Sequence, residues 1–207
     1  MKKRWVITIG REFCSGGAMT ARKVAELLDI PYYDKIIIDK TVEQTQFDPE
    51  VVAHHDEKPV GYFDIGGYQY GYRWYSDDPS LLLPLGMRIA NAQFDVITQL
   101  ADKGPCVIVG RCADYVLQDR PDVVNVFIRA DMEKRVAGCR ERFDITEAEA
   151  RKLIKKTDRI RSNYYHYYTQ KEWGSAKNYD LVIDAGKLGI DAAAQMIAQQ
   201  VLRLDEA

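Results

Sequence analysis

The sequence predicts an α/β domain: a parallel sheet with helices on both faces. Three observations predict it. A β-branched run at residues 5–9 leads through a glycine-rich loop, residues 10–17, into a segment with helical periodicity. The run Cys106-Val107-Ile108-Val109 is apolar without interruption, as a parallel strand covered on both faces should be. Strand-like and helix-like stretches then alternate along most of the chain, the pattern of crossover connections between parallel strands.

Taken in order, Trp5-Val6-Ile7-Thr8-Ile9 is the first strand and stops at Gly10. In the helix at 18–28, Ala21, Val24, Ala25 and Leu28 fall at i, i+3, i+4 and i+7 and form one apolar face. Residues 30–34 form a short extended piece, 35–46 an aliphatic helix, and 49–58 a charged, partly helical stretch. Residues 59–79 differ, with four glycines and seven aromatic residues, and suit an insertion packed on its own side chains or on a partner. A long helix at 82–103 places Ile89, Ala92, Gln93, Val96, Ile97 and Leu100 at helical spacing and ends at Gly104-Pro105. After the strand at 106–109 comes another at 123–128. Asp131 then caps a helix reaching Arg142, and Thr146-Glu147-Ala148-Glu149 reads as a capping box opening a charged helix. The strand 181–184 and the helix 190–204 close the chain.

Composition narrows the function. With 29 Lys+Arg against 31 Asp+Glu over 207 residues, the net charge of -2 excludes a generally basic nucleic-acid coat. No apolar run approaches the roughly 20 residues that cross a bilayer, and the basic start Met1-Lys2-Lys3-Arg4 is not followed by a signal-peptide pattern. Cys14, Cys106, Cys112 and Cys139 include no C-x-x-C pair, so disulfides and zinc are not expected and the cytoplasm is the expected compartment. His54, His55 and His166 show no metal spacing.

Ligands of parallel α/β sheets bind at the carboxyl ends of the strands, here the loops after Ile9, Val109 and Ile128. The first reads G-R-E-F-C-S-G-G. Glycines there, followed by a helix N-terminus, can make an anion site from backbone N–H groups; the same residues also suit a tight turn with no ligand. The loop approaches G-x-x-x-x-G-K-[S/T], but Gly17 stands where lysine would be and Ala18 where the magnesium-binding hydroxyl would be. Arg11, Arg22 and Lys23 are the nearest cationic residues. After the second strand, Arg111 can grip a phosphate bidentately, or can be a surface arginine paired with Asp114. Between 135 and 161 basic residues recur, with Lys152, Lys155, Lys156 and Arg159 on one helical face. Such a run is either a solvated helix or a lid whose arginines close over phosphates, and Asp158-Arg159-Ile160-Arg161 is its most telling part. The tyrosines of 164–168 fit helical packing better than base stacking.

Taken together, I-T-I-G-R-E-F-C-S-G-G at 7–17, C-V-I-V-G-R-C-A-D-Y at 106–115, D-R-I-R-S-N-Y-Y at 158–165 and N-Y-D-L-V-I-D at 178–184 resemble the cytidylate kinase-like family over nearly the whole chain. The resemblance implies a P-loop NTPase-type fold in a single nucleoside monophosphate kinase-like domain over 1–207. Its core would be about 1–34, 104–134 and 178–207, with a helical acceptor-binding insertion at about 35–103 and a helical lid at about 135–177. It implies ATP as donor, Mg2+, and phosphoryl transfer to a nucleoside monophosphate, CMP first. Arg11, Ser15, Gly16, Gly17 and Ala18 would meet nucleotide phosphates, and Gly110, Arg111 and Asp114 the acceptor. Arg111, Arg159 and Arg161 would serve the transfer itself. No metal ligand, nucleic-acid polymer or membrane is expected as partner, and the aromatic segment 59–79 is a surface through which a second copy could pair. The alternative is a nucleotide-binding or regulatory protein that has lost the loop lysine and does not catalyse.

Overall fold

The structure is a computed structural model that describes residues 5–59 and 83–206. The aromatic segment 59–79, with the pairing surface expected of it, lies outside the described residues except for its first position.

Five strands form one sheet: β1 (Val6–Arg11), β2 (Tyr32–Tyr33), β3 (Cys106–Val109), β4 (Val123–Arg129) and β5 (Leu181–Asp184). Their order across the sheet is β2-β3-β1-β4-β5, with every pairing parallel. The central strand β1 pairs Ile9 with Val109 on one side and with Val126 on the other. The chain moves to one side of β1 through β2 and β3, then crosses to the other side through β4 and β5. The carboxyl end of β1 is therefore the place where connections diverge, and a crevice forms there.

The helices are α1 (Gly17–Leu28), α2 (Ile36–Thr45), α3 (Pro49–His55), α4 (Leu85–Asp102), α5 (Ala113–Val116), α6 (Met132–Phe143), α7 (Glu147–Thr169), α8 (Ala185–Leu188) and α9 (Ile190–Glu206). Side chains alternate across a strand, so each sheet face acquires its own core. Ile7, Ile9, Val107 and Val109 pack under Ala21, Val24, Ala25 and Leu28 of α1 and the alanine-rich face of α9. Val6 and Ile108 pack on the opposite face with Ile37 of α2 and Val96, Ile97 and Leu100 of α4. All the positions assigned by periodicity to the inner faces of α1 and α4 are buried, the polar Gln93 among them. Among the described residues no helix is long and apolar enough to cross a membrane.

The capping box of α7 is present: the Thr146 hydroxyl accepts from Glu149 N–H at 3.3 Å, and the Glu149 carboxylate accepts from Thr146 N–H at 2.9 Å. Asp131 departs from expectation. It occupies the N-cap position of α6 but accepts no capping hydrogen bond; its carboxylate lies 3.5 Å from the Arg129 guanidinium.

Candidate active site

The glycine loop links the end of β1 to the start of α1. Its left-handed turn falls at Gly16, φ 86°, while Gly17 is already the first helical residue. The first i→i−4 bond of α1 runs from Thr20 N–H to Gly16 C=O at 2.9 Å, so the amides of Gly17, Ala18 and Met19 have no helical acceptor. Ser15 is a strut inside the loop: its hydroxyl lies within donating distance of the carbonyls of Glu12, 2.9 Å, and Ile128, 3.2 Å. Gly17 is glycine for a local reason. A Cβ there would collide with Cβ of Arg11 and come within 3.0 Å of its Cγ.

Arg11 itself leads into a cluster of charges at the carboxyl ends of β1, β2 and β3. Its guanidinium holds the Glu57 carboxylate by two bonds, 2.5 and 3.2 Å. Arg161, from α7, donates to the same carboxylate at 3.0 Å. Arg111 grips Asp56 bidentately at 2.7 and 2.9 Å and reaches Asp34, just beyond β2, at 3.4 Å. Three guanidinium groups therefore face three carboxylates. The side chain of Arg111 is only 2% exposed, and those of Arg11, Arg161 and Glu57 are 11%, 16% and 12% exposed. Burial alone would raise the Glu57 carboxyl, but Arg11 and Arg161 outweigh it and hold it well below the usual carboxylate range. Burial acts against the charge on Arg111 as well; Asp56 and Glu57 more than offset it and raise its pKa.

The backbone aims Arg111 inward. Gly110, Arg111 and Cys112 all have positive φ, 75°, 54° and 55°. This left-handed run folds the guanidinium back beneath its own strand, where it also meets the Val109 carbonyl at 3.2 Å. Arg111 is therefore neither a surface residue nor a partner of Asp114. Asp114 instead accepts from the Tyr165 hydroxyl at 2.7 Å, and burial raises its pKa against that hydrogen bond.

Helices α6 and α7 brace the loop. Arg135, buried, donates to the Phe13 carbonyl at 2.8 Å, pairs with Glu12 at 3.4 Å and bonds Asp158. Asp158 in turn accepts from Phe13 N–H at 2.8 Å. A cavity of about 20 Å³, the size of one or two waters, lies beside the cluster; Arg11, Glu57, Arg111, Arg161, Tyr164 and Trp173 are among its lining residues.

The expected site residues divide. Arg11, Gly110, Arg111, Asp114 and Arg161 meet at this cavity. Ser15, Gly16, Gly17 and Ala18 form the adjoining loop and helix start. Arg159 is not brought there: it shares the exposed face of α7 with Lys152, Lys155 and Lys156, the solvated-helix reading of that run. Arg22 stacks over Tyr32 at 5.5 Å, and Lys23 pairs with Asp191. Tyr164 and Tyr165 are packed in a buried cluster with Cys112. Sequence reasoning missed Asp34, Asp56, Glu57, Arg135 and Glu12. Asp34 had a usable signal, since it ends a short extended segment at the strand edge where ligands collect.

A prediction follows from the split on α7. Arg161→Ala is expected to lower stability by about 1–3 kcal/mol, because it strips a partner from a mostly buried carboxylate, whereas Arg159→Ala leaves it unchanged. Urea denaturation of both variants measures this; equal losses would contradict the inward and outward placement.

The sequence profile of the cytidylate kinase-like family matches residues 6–187. Among solved structures the chain is similar to an uncharacterized protein from Eubacterium ventriosum ATCC 27560, at 30% identity and a TM-score of 0.71, covering 96% of this chain and 98% of that one. It is similar in fold to shikimate kinase from Bacteroides thetaiotaomicron, with 11% identity, a TM-score of 0.56, and 97% and 99% of the two chains covered. A gluconokinase from Sinorhizobium meliloti 1021 gives 12% identity, a TM-score of 0.56, and 100% and 96% coverage. The fold is thus the P-loop NTPase-type α/β fold. A curated relative, uronate isomerase from Corynebacterium glutamicum, is 27% identical over 109 residues. That match covers 53% of this chain and about a fifth of the isomerase, 21% of its length.

Proposed function

The chain belongs to the cytidylate kinase-like family, and we propose that it is a cytoplasmic kinase transferring the γ-phosphoryl group of ATP to a nucleoside monophosphate, CMP first among them. One observation carries this reading: Arg11, Arg111 and Arg161 converge at the carboxyl edge of the sheet, beside the glycine loop. Phosphoryl transfer demands fixed positive charge around several phosphate oxygens and little else. In this reading the free amides at the start of α1 bind the donor phosphates. Arg111, whose guanidinium is engaged by Asp56 and Asp34, receives the acceptor phosphate through its backbone N–H, and Arg161 neutralises charge between the two. An acceptor oxygen attacks the γ-phosphorus, the bond to the β–γ bridging oxygen breaks, and ADP leaves with the electron pair. The attacking oxygen is already anionic near neutral pH, so no general base is needed. The acceptor insertion at about 35–103 and the lid at about 135–177 follow from the same reading, with α3 and α7 as the elements that bring Glu57 and Arg161 to the site.

The residues do not fit a magnesium ion held directly by the protein. Ala18 has no hydroxyl, the Ser15 hydroxyl is engaged with the carbonyls of Glu12 and Ile128, and Asp34, Asp56 and Glu57 are held by arginines. Among the described residues no group of three or more His, Cys, Asp or Glu could hold a metal. The ion would enter on the nucleotide's phosphates, as magnesium commonly does.

A second reading, nucleotide binding without transfer, is favoured by Gly17, whose place at the loop leaves no lysine to reach the phosphates. A coupled ADP-release assay with ATP, Mg2+ and each common nucleoside monophosphate separates the two, with calorimetric titration of ATP alongside. Turnover with CMP is expected. ATP binding without turnover on any acceptor would establish the second reading, and no binding at millimolar ATP would remove both.

A further inference from the structure

The Glu57 carboxylate occupies a place built for an oxyanion. One oxygen accepts from Arg11 Nη1 at 2.5 Å and from the backbone N–H of Arg111 at 3.2 Å. The other accepts from Arg11 Nη2 at 3.2 Å and from Arg161 Nε at 3.0 Å. Four hydrogen bonds fill all the acceptor positions of a carboxylate, and the fork geometry is equally suited to two oxygens of a phosphate. The place exists because residue 110 has no side chain: a Cβ at Gly110 would run into Oε1 of Glu57 and Nη1 of Arg11.

The chain also bends to deliver this carboxylate. Glu57 has φ 51°, a left-handed backbone that side chains with a Cβ adopt rarely. Its neighbour Asp56 is locked on Arg111. Tyr164 lines the adjoining cavity, and its buried hydroxyl has no hydrogen-bond partner among the described residues. A carboxylate has two oxygens and a phosphate has more, so this hydroxyl is a spare donor that a carboxylate leaves unused.

We propose that Glu57 is an internal oxyanion occupying a phosphate slot formed by Arg11, Arg161 and the Arg111 N–H, and that a phosphate group binds there only by displacing it. The proposal deepens the acceptor site of the kinase reading and rests on it for the ligand class. A tethered carboxylate competes at high effective concentration, so the slot is screened from inorganic phosphate and opens for a ligand with further contacts. Removing the charge of Glu57 turns the slot into an open anion site.

Inorganic phosphate is the probe, titrated calorimetrically into wild type, Glu57→Gln and the double variant Glu57→Gln/Arg161→Ala. Glu57→Gln is expected to bind phosphate at least about tenfold tighter than wild type, since a competing like charge is gone. The double variant should lose that gain. An unchanged or weaker Kd in folded Glu57→Gln overturns the proposal, as does a gain that survives loss of Arg161. Thermal melts guard against a poorly folding variant. The Tm of Glu57→Ala should climb with phosphate concentration more steeply than that of wild type, and parallel curves overturn the proposal. Neither readout needs ATP or transfer, so an inactive enzyme would sink the kinase reading and leave this result standing.

Discussion

Arg111→Ala is expected to cost about 3–5 kcal/mol of stability, by the measure of buried ion pairs broken on one side. The guanidinium makes two bonds to Asp56 and one to Asp34, and it lies at 2% exposure where water cannot take its place. Its removal leaves two carboxylates facing each other beside Glu57. Arg111→Lys should recover little, because an ammonium cannot reproduce the planar fork on Asp56. Acceptor-dependent ADP release should vanish in both variants. Urea denaturation near neutral pH measures the first effect and the coupled assay the second. A loss below about 1 kcal/mol, the scale of exposed ion pairs, would mean the cluster contributes no more than a surface network.

The second large effect concerns the loop. Gly17→Lys introduces a lysine at the position where the phosphate-loop motif carries one. It is expected to destabilise by about 1–3 kcal/mol, the cost of overpacking, and to leave ATP affinity no better. The obstacle is steric rather than conformational: the left-handed glycine is Gly16, whereas Gly17 faces Cβ and Cγ of Arg11. Gly17→Ala should therefore show nearly the same drop in Tm as Gly17→Lys, since the first side-chain atom is the one that clashes. Melting curves of the three proteins, with ATP titrations, provide the measurement. A stable Gly17→Lys that binds ATP more tightly would show that the loop is an impaired lysine site after all. The expected outcome describes a loop in which Arg11 and a side chain at position 17 are mutually exclusive.

Much of the architecture was legible in the sequence because it depends on local periodicity. The uninterrupted apolar run at 106–109 is a strand buried on both faces. The i, i+3, i+4, i+7 spacing in α1 and α4 is their buried face, and the capping box marks the start of α7. The candidate site was legible in part. Arg11, Arg111 and Arg161 were marked by their places next to a strand end or in a telling motif, and they do converge. Arg159 was read with Arg161 because the two are close in sequence; two positions apart on a helix they point in different directions, and only Arg161 faces inward.

What the sequence determined by itself is the set of elements, their buried faces and the strand ends at which charge is useful, since each rests on spacing within a dozen residues. What the tertiary structure alone decided is which charges meet. Glu57 binds Arg11 from 46 positions away and Arg161 from 104; Asp56 binds Arg111 from 55. No periodicity links such pairs, and a stretch like 49–58 reads as an ordinary charged surface helix until the sheet order brings its end over β1 and β3. The inward turn of Arg111 was hidden for the same kind of reason. It depends on three successive left-handed residues, two of them not glycine, a conformation that the surrounding packing imposes and local sequence disfavours.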